Sequence, residues 1–224
     1  MTARSLTAHR VSVRHGRRTV LEQVSVSVRA GEVVGLTGAS GSGKTTLAQV
    51  LSGLLQPDTG RVDCDGHELR GKHSGRIAML FQSPRRSCDP RLTLRESITE
   101  LARGRIEFEA LRGRVGLTAD LLDRYPAQVS DGQLQRAAVA RVLAARPDYL
   151  LCDEMTAMLD PATTATVVRA VTVLAAEGVG VLLISHDLSL LAVSANRVVH
   201  LCNPSAEPQR GGSAATSNRH IGVS

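Results

Sequence analysis

The chain of 224 residues has no tryptophan, two tyrosines and two phenylalanines. So few rings give no platform on which bases could stack, and the arginines are dispersed rather than gathered into a stripe. The formal charge of +6 therefore reads as a solvated basic surface, and no nucleic-acid partner is expected. Long apolar runs are missing too. "VGVLLI", Val179 to Ile184, is far short of the ~20 residues a membrane helix needs. The opening "MTARSLTAHR" lacks the apolar stretch of a secretory signal, so a cytosolic chain is expected. Cys64, Cys88, Cys152 and Cys202 show no C-x-x-C spacing, which argues against a zinc site or a disulfide framework and for reduced thiols. Lysine is nearly absent: there are two against 25 arginines, and one of the two is Lys44.

The length fits one α/β domain, or one with an insertion. Valines at 24, 26 and 28, then 33 and 34, predict strands separated by a turn at Ala30-Gly31. The second strand runs into "GASGSGKTT", and helical spacing follows in "TLAQVLSGLL", closed by Pro57 and Gly60. "RIAMLFQ" predicts a short strand, and residues 84–146 a mostly helical segment broken at "DRYPAQVSDG". Strand-helix alternation then returns: "YLLCD" a strand, "TTATVVRAVTVLAAEG" a helix ending at Gly178, "VGVLLIS" and "RVVHL" strands. Alternation of this kind implies a mostly parallel sheet covered on both faces and interrupted by a helical insertion. The segment "NPSAEPQRGGSAATSNRHIGVS" is rich in Pro, Gly, Ser and Ala and is expected to be disordered.

"GASGSGKT", Gly38 to Thr45, matches the phosphate-loop pattern G-x-x-x-x-G-K-[ST], with a strand before it and a helix after it, as the motif requires. The glycines let the backbone of Gly38, Ala39, Ser40, Gly41, Ser42 and Gly43 wrap a polyphosphate, with Thr46 following. Lys44 reaches the β/γ oxygens and the Thr45 hydroxyl can ligate Mg²⁺. "YLLCDE" supplies the second half: Asp153 can hold the Mg²⁺ shell, and Glu154 can polarise an attacking water. In "VSDGQ", Ser130 followed by Gln133 is a capping-box pattern that should open a helix with anion-attracting N–H groups, yet no lysine lies nearby to hold an anion.

The ordered set "GASGSGKTT", "FQ" at Phe81-Gln82, "VSDGQLQR", "YLLCDE", "MLD" ending at Asp160 and "ISHD" around His186 resembles the nucleotide-binding subunit of an ATP-binding cassette (ABC) transporter, up to about Leu201. The resemblance implies an α/β fold of the P-loop NTPase kind, with a mostly parallel sheet, N-terminal antiparallel strands and an inserted helical subdomain. It implies an ATP-binding domain over residues 1–203 and a tail over 204–224. ATP and Mg²⁺ are the implied cofactors, and hydrolysis the implied reaction. Gln82 would then sense Mg²⁺ and the membrane partner, Asp160 would belong to a loop crossing a dimer, and His186 would contact the γ-phosphate. Two cassettes, as a homodimer or a heterodimer, would pack head to tail, so that Ser130, Gly132 and Gln133 of one subunit meet the nucleotide held by the other.

The sequence departs from the family pattern at Val129, at Asp131 in place of a glycine, and at Met155 in place of a proline. Asp131 suits the helix dipole yet should weaken closure over a γ-phosphate. His15 stands where an adenine-stacking aromatic is expected. "FQSPRRSCDPRLTLRESI" and the lead-in "RYP" resemble peptide/nickel importers, which implies two permease subunits, an extracellular solute-binding protein, a second ATP-binding subunit and a place on the cytoplasmic face of the membrane. The lack of a long C-terminal extension leans the expected cargo towards nickel or metal chelates. A soluble cassette ATPase acting on DNA or ribosomes would normally carry a long coiled-coil insertion or two cassettes in one chain, but Lys44 and Ser130 are only 86 positions apart. A regulatory, non-hydrolysing module would lack Glu154.

Overall fold

The computed structural model describes residues 4–69, 75–86, 88–157 and 159–202. The expected tail lies outside them, as does Met158. A long antiparallel ribbon, β1 (Ser5–His15) with β2 (Arg18–Arg29), turns at Gly16 and joins β4 (Thr59–Cys64) and β5 (His67–Glu68) in the order β2-β1-β4-β5. The second sheet is parallel, in the order β6 (Ile77–Leu80), β7 (Tyr149–Asp153), β8 (Gly180–Ile184), β3 (Val33–Thr37), β9 (Arg197–His200).

β7 and β8 are buried at every residue, as expected for apolar strands covered on both faces. Their side chains alternate between two cores. Tyr149, Leu151, Leu182 and Ile184 face the antiparallel sheet and helix α1 (Lys44–Leu51). Leu150, Cys152, Val181 and Leu183 face a second core. That core is built with α2 (Leu94–Glu100), α3 (Phe108–Val115), α4 (Asp131–Ala145) and α5 (Pro161–Ala176). Cys64, Cys88 and Cys152 are buried and free, and Cys202 is exposed and free.

Several boundaries move. The strand in "RIAMLFQ" stops at Leu80, which leaves Phe81 and Gln82 on the loop beyond it. α5 ends at Ala176, two residues short of Gly178, whose φ of 100° turns the chain. Helix α6 (Leu188–Ser194), between the last two strands, was not expected; it is seven residues long and held by Asp187, which accepts from the N–H groups of Ser189 and Leu190. Among the described residues no helix is long and apolar enough to cross a membrane.

Candidate active site

The loop between β3 and α1 is shaped by its glycines. Gly41 and Gly43 have φ of 74° and 97°, a region that side chains disfavour. A Cβ on Gly43 would sit 2.7 Å from the Leu21 side chain and 2.9 Å from the Val20 carbonyl oxygen, and one on Gly38 2.5 Å from the Leu201 carbonyl oxygen. The loop is thus pressed against its own scaffold and opens only outward. Lys44, 7% exposed, donates to the carbonyls of Gly38 (2.9 Å) and Ala39 (3.0 Å), which arches the loop around its ammonium. Ser42 Oγ is buried with no hydrogen-bond partner among the described residues.

The acidic side comes from β7. Thr45 Oγ1 donates to Asp153 Oδ1 at 3.1 Å, which sets two hard oxygen ligands side by side at the start of α1. Among the described residues no cluster of three or more His, Cys, Asp or Glu could hold a metal by itself. This arrangement fits Mg²⁺, which binds through one or two protein oxygens together with substrate phosphates. Glu154 leaves the strand at φ 47°, a strained value for a residue with a side chain, and its N–H bonds the Ile184 carbonyl. His186 Nδ1 lies 4.0 Å from Glu154 Oε2, and the ring is 69% exposed. Met155 is 2% exposed and packs into the helical core, so the residue standing for proline serves as filling.

An open cleft of about 480 Å³ gathers His15, Ser40, Gly41, Gly43, Lys44, Thr45, Thr46, Gln82 and Glu154. Arg18 and Val20 line it too, and neither was anticipated. The turn that carries His15 brings Arg18 directly opposite it in the ribbon, a pairing the sequence alone does not reveal. A larger groove of about 690 Å³ between α5 and α6 includes His186 but no phosphate-loop residue, so the smaller cleft, with its convergent polar groups, is the candidate site.

Ser130, Gly132, Gln133 and Asp160 do not line the cleft. Ser130 caps α4 in a full capping box: its oxygen accepts from the Gln133 N–H at 3.2 Å, and Gln133 Oε1 accepts from the Ser130 N–H at 2.9 Å. Asp160 caps α5 by accepting from the Thr163 N–H and hydroxyl, and these bonds hold its carboxyl below the usual range. Asp131 accepts from Arg85 Nη2 at 2.9 Å, so the carboxylate expected to oppose a γ-phosphate carries a counter-ion.

Residues 21–157 match the family model described as ABC transporter. The chain is 35% identical over 198 residues to the probable peptide ABC transporter ATP-binding protein y4tS of Sinorhizobium fredii, covering 80% of this chain and 55% of that protein. It is 37% identical over 201 residues to the methionine import ATP-binding protein MetN of Bordetella avium (84% and 55%). It is 36% identical over 196 residues to the oligopeptide transport ATP-binding protein OppF of Streptococcus mutans (80% and 64%). The chain thus spans little more than half the length of the first two of these relatives. Among solved structures it resembles the dimeric MJ0796 cassette, a bacterial ABC transporter cassette, with a TM-score of 0.76 at 27% identity, over 88% of this chain and 94% of that one. An ATP binding subunit of an ABC transporter gives 0.80 at 27% identity, over 90% and 87%. The chain belongs to the ABC transporter family, as one of its ATP-binding cassettes.

Proposed function

We propose that this chain binds and hydrolyses ATP as the motor subunit of an importer that takes up peptides or amino acids such as methionine. The observation that carries the proposal is the convergence of Lys44, Thr45 and Glu154 on one cleft, with Asp153 bonded to Thr45. In this reading the N–H groups of residues 38–43 and the Lys44 ammonium hold the triphosphate, and the buried Ser42 hydroxyl adds a donor. Mg²⁺, when bound, would be held by Thr45 and Asp153, with Gln82 at the cleft edge, and would neutralise charge on the phosphate oxygens. Glu154 takes the proton of the attacking water, and His186 steadies the γ-phosphate from the adjoining groove. His15 and Arg18 flank the nucleotide at the mouth of the cleft.

Ser130, Gly132, Gln133 and Asp160 do not line this cleft, which supports their use on the nucleotide of a second ATP-binding subunit. The same reading makes residues 1–203 one ATP-binding domain with a helical insertion at 84–146. It gives the chain two permease subunits and an extracellular solute-binding protein as partners, and places it peripherally at the cytoplasmic face of the membrane. The names of the relatives favour peptide or methionine cargo over the nickel or metal-chelate branch.

The Glu154→Gln variant tests the motor. The amide keeps the shape but cannot accept the proton, so ATP binding should persist while hydrolysis falls at least about 100-fold. ATP should then trap a dimer visible by sedimentation. Hydrolysis at the parent rate would remove Glu154 from the reaction. Uptake of labelled dipeptide, methionine and nickel by cells carrying the chain with its permeases would then separate the cargo classes.

A further inference from the structure

Asp131 is the first residue of α4, where the helix offers its free N–H groups to an anion. A carboxylate there opposes an incoming triphosphate. It is not needed to close the helix, because Ser130 and Gln133 already satisfy each other. Arg85 meets it from another element. This residue lies three positions after Gln82, in a 3-10 turn over Pro84–Arg86. Its Nη2 donates to Asp131 Oδ1 at 2.9 Å and its Nη1 to the Pro126 carbonyl at 3.3 Å. Pro126 opens the 3-10 turn Pro126–Gln128 that leads into α4. One guanidinium thus ties the loop leaving the nucleotide cleft to the start of the helix and to the turn before it.

Both partners are about half exposed, 52% and 55%. A pair so wet adds little to folding stability. Its consequence is local: the guanidinium offsets the carboxylate's charge at the helix start and bridges that start to the Gln82 loop.

Resting on the function proposed above, we propose that Arg85 is a positioning residue that neutralises Asp131, keeping the start of α4 receptive to the triphosphate held by a second subunit. Without Arg85 the carboxylate repels that triphosphate, and subunit closure requires more ATP.

The test uses the full chain carrying Glu154→Gln, with dimer formation followed by sedimentation against ATP concentration. Arg85→Ala should raise the ATP needed for half-maximal dimer by about tenfold near 0.1 M salt. Arg85→Lys, which keeps the charge, should lie close to the parent. Adding Asp131→Asn to Arg85→Ala should restore the parent value, and the Arg85→Ala defect should shrink near 1 M salt, where surface charges are screened. An unchanged Arg85→Ala, or a defect that persists with Asp131→Asn and in high salt, would overturn the proposal in favour of simple packing. A parent that does not associate with ATP at all, and whose nucleotide binding survives Lys44→Ala, would instead overturn the reading of function, and this proposal with it.

Discussion

On the proposed function, Lys44 is the residue on which nucleotide binding turns. Its ammonium is buried and already holds two carbonyls of its own loop, so little reorganisation is needed when phosphates arrive. Charge-assisted hydrogen bonds contribute about 1.5–3 kcal/mol each, and Lys44→Ala removes at least two. ATP affinity measured by calorimetric titration should fall by more than about 100-fold, and unchanged affinity would reject the phosphate-loop assignment. Gly43 is a different kind of requirement. Alanine there would combine a φ of 97° with contacts at 2.7 and 2.9 Å to Leu21 and the Val20 carbonyl, so Gly43→Ala should lower the melting temperature as well as the affinity. The cleft half of the site was legible because the phosphate loop is local: eight consecutive residues fix backbone, charge and hydroxyl together. Arg85 was not legible. Its partner is 46 positions away, and one of many arginines in the sequence carries no mark of which carboxylate it will meet.

At the scale of elements, the two sheets are joined by a polar cluster far from the nucleotide cleft. Asp65, in the turn between β4 and β5, and Asp148, just before β7, are both gripped by Arg4 and Arg76, and the Tyr149 hydroxyl donates to Asp65. Burial alone would raise the Asp65 carboxyl, but the bonds from Tyr149, Arg76 and Arg4 outweigh it and hold it below the usual range. Asp148 behaves alike, its burial outweighed by Arg76 and Arg4. A carboxyl depressed in the folded state contributes stability above its unfolded value, near 3.8, and loses it as pH falls through the folded value. Asp65→Asn should therefore melt earlier than the parent at pH 7, by roughly 1–3 kcal/mol of stability, with the gap closing below about pH 3.8. A gap independent of pH would mean that the effect is packing. The same contrast explains which elements the sequence announces. β7 and β8 are continuous apolar runs and were read closely. The two-residue β5 and the seven-residue α6 are too short to show a period, and their place depends on a strand partner and on one capping carboxylate.

On the proposed function, the molecule presents half of two sites rather than one complete site. The cleft is lined by Ser40, Gly41, Gly43, Lys44, Thr45 and Glu154 and not by the capped start of α4, so no movement within one chain is needed if a second copy closes the gap. A complementation experiment separates these geometries. Chains with Lys44→Ala have a dead cleft and an intact α4 start; chains with Ser130→Arg have the reverse. Each should be inactive alone. In a mixed dimer, one composite site combines both defects and the other combines neither, so mixing equal amounts should restore roughly a quarter of the parental ATPase activity, since half the dimers are mixed and each retains one of two sites. Were Ser130 to act on the cleft of its own chain, every site would carry one defect and mixing would restore nothing. The recovered activity should also depend on total chain concentration, as association of two copies requires. A recovery that did not respond to dilution below the dimer's dissociation constant would argue against assembly of the site between subunits.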